Sequence, residues 1–457
     1  MITLKKVSPP AVEQNLIPVP LTDETIAERK ELILQKMGEA GYDSLVFYAD
    51  LEHGSNFEYL TGFLPRFEEA LLILHQDGKA YGVFGNENLN KAQKARIDLI
   101  PIHMPHLSLP NQPMETKETV TEILAKCHLA NRQNIGIIGW KYFTNTVEEA
   151  QQLFELPYFL MDALKKVAKN GKFTNATGLL IGEEGARTMN NANEFAHYEF
   201  GAALAGNCLL EALGELAIGK TEMAVAEKLS AKGQDHTVVT IMAAGPRFVK
   251  ANLYPSNNQI ALGDPISMTT AYKGGLESRT GFAVHQAGEL PVGQQDYLEK
   301  LVIPYFKAFT TWLETIQIGI TGGELYATIE AVFPKASYGW SLNPGHLGGD
   351  EEWLASPVYP NSQERIRSGM LFQIDLIPSL AGYQGAGCES SVFLADEKLR
   401  EQIKADYPEV WARIIKRRAY LKDTLGICLG KELLPMSPAM GYYPPFMLDR
   451  KLALVKQ

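Results

Sequence analysis

The stretch from 263 to 282 constrains the fold most, because its sequence GDPISMTTAYKGGLESRTGF predicts a β-hairpin. It divides into a turn at 263–264, a strand from 265 to 270, a second turn at 273–275 and a returning strand from 279 to 284. The polar side chains available to point inward are Thr269, Thr270, Glu277 and Ser278. Hydroxyl groups are poor substitutes for carboxylates as ligands of hard cations, so this hairpin alone does not supply a metal site.

Length and charge limit the kind of protein this can be. A chain of 457 residues predicts two or three domains, and its 46% hydrophobic content is ample for their cores. The net charge is -10 and there is no long basic run, which argues against nucleic-acid and anionic-membrane partners. Four isolated cysteines and the lack of a long apolar run predict a soluble, cytoplasmic protein.

The order of helical and strand patterns predicts two domains. Residues 1–20 contain four prolines and are expected to form an extended arm that lies on another surface. Helices and strands alternate as far as the sequence KNGK at 169–172, which is the best candidate linker. We therefore predict a first domain at 1–170 and a second at 171–457, with an extended tail from about 397.

Three residues of the second domain stand out as candidates for chemistry. His346 lies in the segment PGHLGG, where small residues allow a backbone to approach a pocket. Asp375 interrupts the apolar run LFQIDLIP, and Glu389 begins the next predicted strand. A carboxylate among apolar residues is costly unless it is paired, liganded or used catalytically, so the three together favour an acid/base or metal site.

These segments also resemble a known family. Several segments follow one another in an order similar to that in the pita-bread fold of aminopeptidase P, prolidase and creatinase. They are the helix at 194, GKTE at 219–222, the 263–264 turn, RT at 279–280, GH at 345–346 and Glu389. The segment NFEYLTGF at 56–63 resembles the N-terminal signature of the same enzymes. The resemblance implies an α/β (α+β) protein of two domains. The first would be a creatinase/prolidase-like α/β domain, and the second a pita-bread domain with a curved antiparallel sheet covered by helices. It also implies a homodimer.

The family's peptidases hold two divalent metals with two aspartates, a histidine and two glutamates. Carried over by resemblance, His346, Asp375 and Glu389 match the histidine and the two glutamate positions. The first aspartate position falls on Thr269, and the second falls near Leu276 or Glu277. We therefore expect no standard two-metal site.

The hairpin also resembles that of creatinase, the metal-free member of the family. The segment LESRT at 276–280 resembles its hairpin with one residue inserted. The histidine that serves creatinase as general acid/base corresponds to Asn252. An amide does not shuttle protons near neutral pH, although it can hydrogen-bond a carbonyl or a carboxylate.

The first interpretation is a hydrolase that acts on a C–N bond of a small molecule without a metal or other cofactor. His346 would transfer the proton, together with Asp375 and Glu389 as the other catalytic residues. The predicted substrate-binding residues are Asn252, Thr269, Glu277 and Arg279. Carboxylates suit an amine- or guanidinium-bearing substrate, because charge-assisted hydrogen bonds are strong.

Two alternatives remain open. The first is an Xaa-Pro-type metallopeptidase with a single divalent metal (Mn, Zn, Co or Fe) held by His346, Asp375 and Glu389. The second is a non-catalytic binding protein on the same fold. A structural role for Glu277, paired with Arg279 or Lys273, also remains open.

Overall fold

A computed structural model describes residues 1–144, 147–250 and 254–457, and it separates the chain into two compact units. One unit is formed by residues 21–188, and the other by residues 189–457 together with 1–20. The first strand, β1 (Ile2–Lys6), therefore belongs to the C-terminal unit. No helix within the described ranges is long and apolar enough to cross a membrane.

The unit at 21–188 is built on a six-stranded mixed sheet. Its strands are β2 (Ser44–Ala49), β3 (Ala70–His75), β4 (Ala80–Phe84), β5 (Ile100–His103), β6 (Asn134–Ile138) and β7 (Lys172–Asn175). They lie in the order β5-β4-β3-β2-β6-β7. The helices of this unit are α1 (Asp23–Ala40), α2 (Ser55–Thr61), α3 (Val120–Ala125), α4 (Tyr158–Val167) and α5 (Gly178–Ile181).

The division between the units differs from the predicted boundary at 170. The segment 169–172 is a turn that leads into β7, and β7 extends the N-terminal sheet by pairing in parallel with β6. Phe173 of β7 packs into the core of the same unit. The polar, glycine-containing turn has the composition of a linker, yet the chain leaves the unit only at 188.

The C-terminal unit contains a seven-stranded antiparallel sheet. Its strands are β8 (Ile241–Ala244), β9 (Pro265–Tyr272), β10 (Gly275–Phe282), β11 (His346–Leu347), β12 (Leu371–Ile374), β13 (Gly387–Leu394) and β14 (Leu433–Pro435). The strands lie in the order β11-β12-β13-β10-β9-β8, and β14 pairs with the C-terminal end of β13. The mixed α/β class and the antiparallel sheet confirm the predicted fold class.

The helices and the last strand complete this unit. They are α6 (Ala192–Glu215), α7 (Glu222–Ala226), α8 (Ile303–Thr315), α9 (Gly322–Val332), α10 (Lys335–Tyr338), α11 (Glu397–Asp406), α12 (Pro408–Ala419) and β15 (Leu452–Lys456). Helix α6 begins with a capping box. The Asn191 side chain accepts a hydrogen bond from the backbone N–H of Glu194, and the Glu194 side chain accepts one from the backbone N–H of Asn191. It packs against β9 and β10.

The predicted hairpin is β9 and β10, and glycines allow it to lie close to α6. Gly274 has a φ of +97°, and a Cβ at this position would lie 2.2 Å from the carbonyl oxygen of Tyr198. A Cβ on Gly201 in α6 would lie 1.9 Å from the carbonyl oxygen of Lys273. Only glycine fits at such close backbone approaches, so the hairpin turn has a fixed position on the helix.

The arm and the tail are integral parts of the C-terminal unit. Strand β1 pairs antiparallel with β15, from Ile2 opposite Lys456 to Lys6 opposite Leu452. Further along the arm, Glu13 forms an ion pair with the buried Arg417 of α12. The segment after 397, the predicted tail, supplies two helices and two strands to the unit.

Candidate functional site

A cavity of about 640 Å³ lies beside the hairpin in the C-terminal unit. Its polar lining contains the carboxylates Glu352, Asp375 and Glu389, the hydroxyls of Ser267, Thr269, Ser278 and Thr280, and the side chains of Ser379, Tyr383 and Gln384. Apolar and aromatic side chains form the remaining wall, among them Val238, Ile241, Phe248, Leu276, Trp353 and Ile377. No Lys or Arg belongs to the described residues that line this cavity. The three acids therefore face it without a basic partner in its wall.

The pleat of the hairpin decides which of its side chains reach the cavity. Thr269 lies opposite Ser278 across the strand pair, and its hydroxyl donates to the Ser278 Oγ at 3.0 Å. Ser278 is in turn opposite Glu389 on β13. Successive strand residues point to opposite faces, so Thr270 and Glu277, expected to point inward with Thr269 and Ser278, lie on the other face.

Glu277 and Arg279 were predicted to bind substrate, but they form a buried ion pair on the face of the sheet away from the cavity. The Arg279 Nη1 lies 3.2 Å from the Glu277 carboxylate. The same guanidinium donates to the carbonyls of Tyr442 at 2.8 Å and Glu389 at 3.0 Å. This is the structural pairing that the sequence leaves open, and it ties β10 to the C-terminal segment.

Asn252, the third predicted substrate-binding residue, lies outside the described residues. Thr269, the fourth, lines the cavity. Of the predicted catalytic residues, Asp375 and Glu389 line the cavity as well, the first directly after β12 and the second within β13. The sheet thus brings three of the predicted site residues together.

His346 lies behind the cavity wall. Its side chain is 0% exposed, and its ring stacks on that of Trp353 with the centroids 4.1 Å apart. The Nδ1 lies 3.1 Å from the Leu347 carbonyl oxygen, while the Nε2 lies 3.0 Å from the Glu352 carboxylate and 3.9 Å from that of Asp375. The Nε2 makes no hydrogen bond within the described parts of the chain, but the two carboxylates close to it favour the doubly protonated imidazolium by charge attraction.

The environment of His346 supports this assignment. Burial opposes the charged imidazolium, but the contact with Glu352 and the charge of Asp375 outweigh it and raise the pKa of His346. The ring is fully buried and is not among the described residues that line the cavity, and its Nε2 lies beside the carboxylates of Glu352 and Asp375. The predicted role of His346, direct proton transfer to a substrate, would require the ring to reach the cavity.

The two predicted acids have perturbed pKa values. Burial raises the pKa of Asp375 to about 6, although the nearby His346 favours its ionised form. Withdrawal from solvent raises the pKa of Glu389 well above its ordinary range, and the charges of Asp375 and Glu352 raise it further. The Asp375 Oδ1 is buried and finds no hydrogen-bond partner in the described parts of the chain. A cation in the cavity would favour the ionised forms of both acids and would lie beside the Asp375 Oδ1.

Glu352 and Trp353 are members of the site that the sequence argument missed. Leu347 forms an antiparallel bridge with Ala355, and the Leu354 N–H donates to the Leu347 carbonyl. The loop at 348–353 therefore turns back and places Glu352 beside His346. The signal in the sequence was the glycine pair at 348–349 followed by three acids at 350–352, which is typical of a tight return of the chain.

The residues present do not fit a two-metal centre. The first aspartate position is occupied by Thr269, and the residue opposite it is Ser278, whereas the resemblance placed the second aspartate near Leu276 or Glu277. The Thr269 hydroxyl donates to the Ser278 hydroxyl, and neither group carries a charge. Among the described residues, no group of three or more His, Cys, Asp or Glu side chains is arranged to hold a metal ion.

Fold and site together define an α/β protein of two units, with an acid-lined cavity on the antiparallel sheet of the second. Residues 196–396 match the family model for metallopeptidase family M24, and residues 29–182 match that for the creatinase/prolidase N-terminal domain. The chain belongs to the M24 pita-bread superfamily, as the resemblance predicted. No curated protein matches it in sequence.

Solved structures of similar fold are prolidases and related enzymes. The Xaa-Pro dipeptidase from Bacillus anthracis is 18% identical with a TM-score of 0.61, and the match covers 82% of this chain and 96% of that one. The prolidase from Pyrococcus horikoshii OT3 is 19% identical with a TM-score of 0.60, covering 80% and 95%. Recombinant prolidase from Thermococcus sibiricus is 18% identical with a TM-score of 0.64, covering 81% and 95%. At these identities the likeness establishes the fold.

Proposed function

We propose that this protein is a hydrolase that cleaves a C–N bond in a small, cationic substrate without a two-metal centre. The observation that carries the proposal is the cavity wall, where Glu352, Asp375 and Glu389 meet without a Lys or Arg among the described lining residues. Charge complementarity favours a cationic ligand, and carboxylates bind amine and guanidinium groups through charge-assisted hydrogen bonds.

Two carboxyl groups with different proton affinities can serve as an acid and a base in the same site. Burial raises the pKa of Asp375 to about 6 and raises the pKa of Glu389 well above its ordinary range, so we assign the role of base to Asp375 and the role of acid to Glu389. The first can accept a proton from water and the second can donate one. Membership of a family of metallopeptidases and the prolidase-like fold support hydrolysis as the type of reaction.

In the proposed reaction, water is the nucleophile. The oxygen of water bonds to the carbon of the C–N bond, while a water proton passes to the Asp375 carboxylate. The C–N bond then breaks, its electron pair goes to the nitrogen, and the Glu389 carboxyl group protonates that nitrogen. The products are an amine and an oxygenated carbon compound, and proton exchange with solvent resets both acids.

A panel of amides, dipeptides and guanidino compounds, each with and without a cationic group, tests this proposal by the release of amine or ammonia. We expect hydrolysis of cationic members, and a loss of at least about 100-fold in kcat for Asp375→Asn and for Glu389→Gln. Glu289→Gln, at a partly exposed residue that contacts His285 and does not line the cavity, is the control and should retain activity. Equal hydrolysis of neutral and cationic members, or full activity of both acid variants, would contradict the proposal.

A further inference from the structure

Trp353 presents an aromatic surface to the cavity from a fixed position. It is 39% exposed and belongs to the cavity lining. One face of its indole is covered by the His346 ring, at a centroid separation of 4.1 Å and an angle of 20°. The stack leaves the other face for the cavity and restricts the rotation of the side chain. Exposed tryptophan with one supported face is an arrangement that suits the binding of an organic cation.

Negative charge surrounds this indole. Glu352 is its neighbour in the chain and contacts His346 at 3.0 Å, so the charge of the imidazolium behind the indole is offset. Asp375 is only 6% exposed, lines the same cavity, and has an Oδ1 without a hydrogen-bond partner in the described chain. A buried carboxylate oxygen that accepts no hydrogen bond is costly unless a positive charge beside it offsets its own. The cavity thus combines a π face with a carboxylate oxygen available to a cation.

We propose that Trp353, Glu352 and Asp375 form a recognition site for an alkylammonium group of the substrate. This inference rests on the proposed function and specifies which cation the cavity takes. The alkylated nitrogen would lie on the open indole face, where the quadrupole of the ring attracts it, and the two carboxylates would balance its charge.

An alkylammonium group fits the arrangement better than a guanidinium group. A guanidinium is recognised by carboxylates through its five directed N–H groups and does not require an aromatic surface. A methylated ammonium has few or no N–H donors, so it gains most from a supported aromatic face beside a negative charge. The wall of the same cavity also contains Phe248, which adds apolar surface for alkyl substituents.

Calorimetric titration of the full-length protein with tetramethylammonium chloride tests the site, with EDTA present throughout. We expect binding to the wild type, at least about tenfold weaker binding to Trp353→Leu and Glu352→Gln, and a smaller change for Trp353→Phe, which keeps an aromatic ring. Glu351→Gln is the matched control, since it removes the same charge one residue away and Glu351 is not among the residues lining this cavity. Its affinity should equal that of the wild type.

Two results would overturn the inference. One is binding of guanidinium chloride with no binding of tetramethylammonium, which would assign cation recognition to the carboxylates alone. The other is equal affinity of the wild type and of a folded Trp353→Leu variant, as judged by circular dichroism. Neutral tert-butanol, which resembles tetramethylammonium in shape, should not bind, and its binding would show that charge has no part.

Different results test the cation site and the hydrolase function. If tetramethylammonium binds as expected and no substrate in the hydrolysis panel is cleaved, the hydrolase proposal fails and the cation site stands. If cationic substrates are cleaved with a KM that Trp353→Leu leaves unchanged, the cation site fails and the hydrolase proposal stands.

Discussion

Two aspartates introduced into the hairpin should convert the cavity into a metal site. Thr269 and Ser278 are opposite each other, with their side-chain oxygens 3.0 Å apart, and Ser278 is opposite Glu389. The double variant Thr269→Asp/Ser278→Asp would therefore add two carboxylates next to one already present. Together with Asp375 it would assemble four carboxylates, the hard oxygen ligands that the hydroxyls replace.

The structure sets the size of the expected effect. Two carboxylates about 4 Å apart repel by about 4 kcal/mol at an effective dielectric constant of about 20, so the metal-free double variant should be destabilised by an amount of this order. A divalent metal at about 100 times its Kd should restore about 2.7 kcal/mol, because it binds the folded state. The wild type should show neither effect.

Urea unfolding with EDTA and with added MnCl2, combined with elemental analysis after desalting, measures both quantities. The control is Thr269→Asn/Ser278→Asn, which has the same size and no charge. We expect near-stoichiometric metal and a metal-dependent gain in stability for the aspartate variant alone. Metal stabilisation of the wild type to the same degree, or a folded aspartate variant that retains no metal, would refute the reasoning.

Three further predictions concern the parts of the fold that support the site and the first unit. Arg279→Met should lower the free energy of unfolding by about 3–5 kcal/mol, since it leaves the buried carboxylate of Glu277 without its partner, and Glu277→Gln combined with it should recover part of the loss in the same urea assay. Gly274→Ala should cost roughly 1–3 kcal/mol in thermal or urea unfolding, because φ is +97° and the new Cβ would meet the Tyr198 carbonyl; an unchanged midpoint would disprove that close approach. Burial lowers the pKa of His75, so the stability that the neutral side chain contributes to the unit at 21–188 is present above the ordinary pKa of histidine and is lost as the pH falls below that value. Urea midpoints between pH 5 and pH 8 should show this loss of stability. The loss should be smaller in the His75→Gln variant.

The architecture was predictable because its signals are local and ordered along the chain. The turn residues around 263 and 273 define a hairpin, and the spacing of segments from 194 to 389 matches one fold. The family matches at 29–182 and 196–396 confirm that assignment. The boundary between the two units was harder to predict from the sequence, because the turn at 169–172 has the composition of a linker and only the structure shows that β7 pairs with β6.

The membership of the site was only partly predictable, and the reason is the direction of side chains. Thr269 and Glu277 both lie on the hairpin, but the register places Ser278 and not Glu277 opposite Thr269. A shift of one residue moves a side chain to the other face of a sheet, and the sequence does not reveal that register. Glu352 reaches His346 only because the loop after β11 turns back on itself, which depends on tertiary structure.

The most direct test of the central claim is the rate of C–N hydrolysis of the best cationic substrate after exhaustive treatment with EDTA, compared with the rate after addition of Mn, Zn, Co or Fe salts. We predict that activity persists with the chelator, that none of the four metals increases it by more than about twofold, and that Glu389→Gln abolishes it. Activity that disappears with EDTA and returns with one of the metals would contradict the account and establish a metal-dependent enzyme.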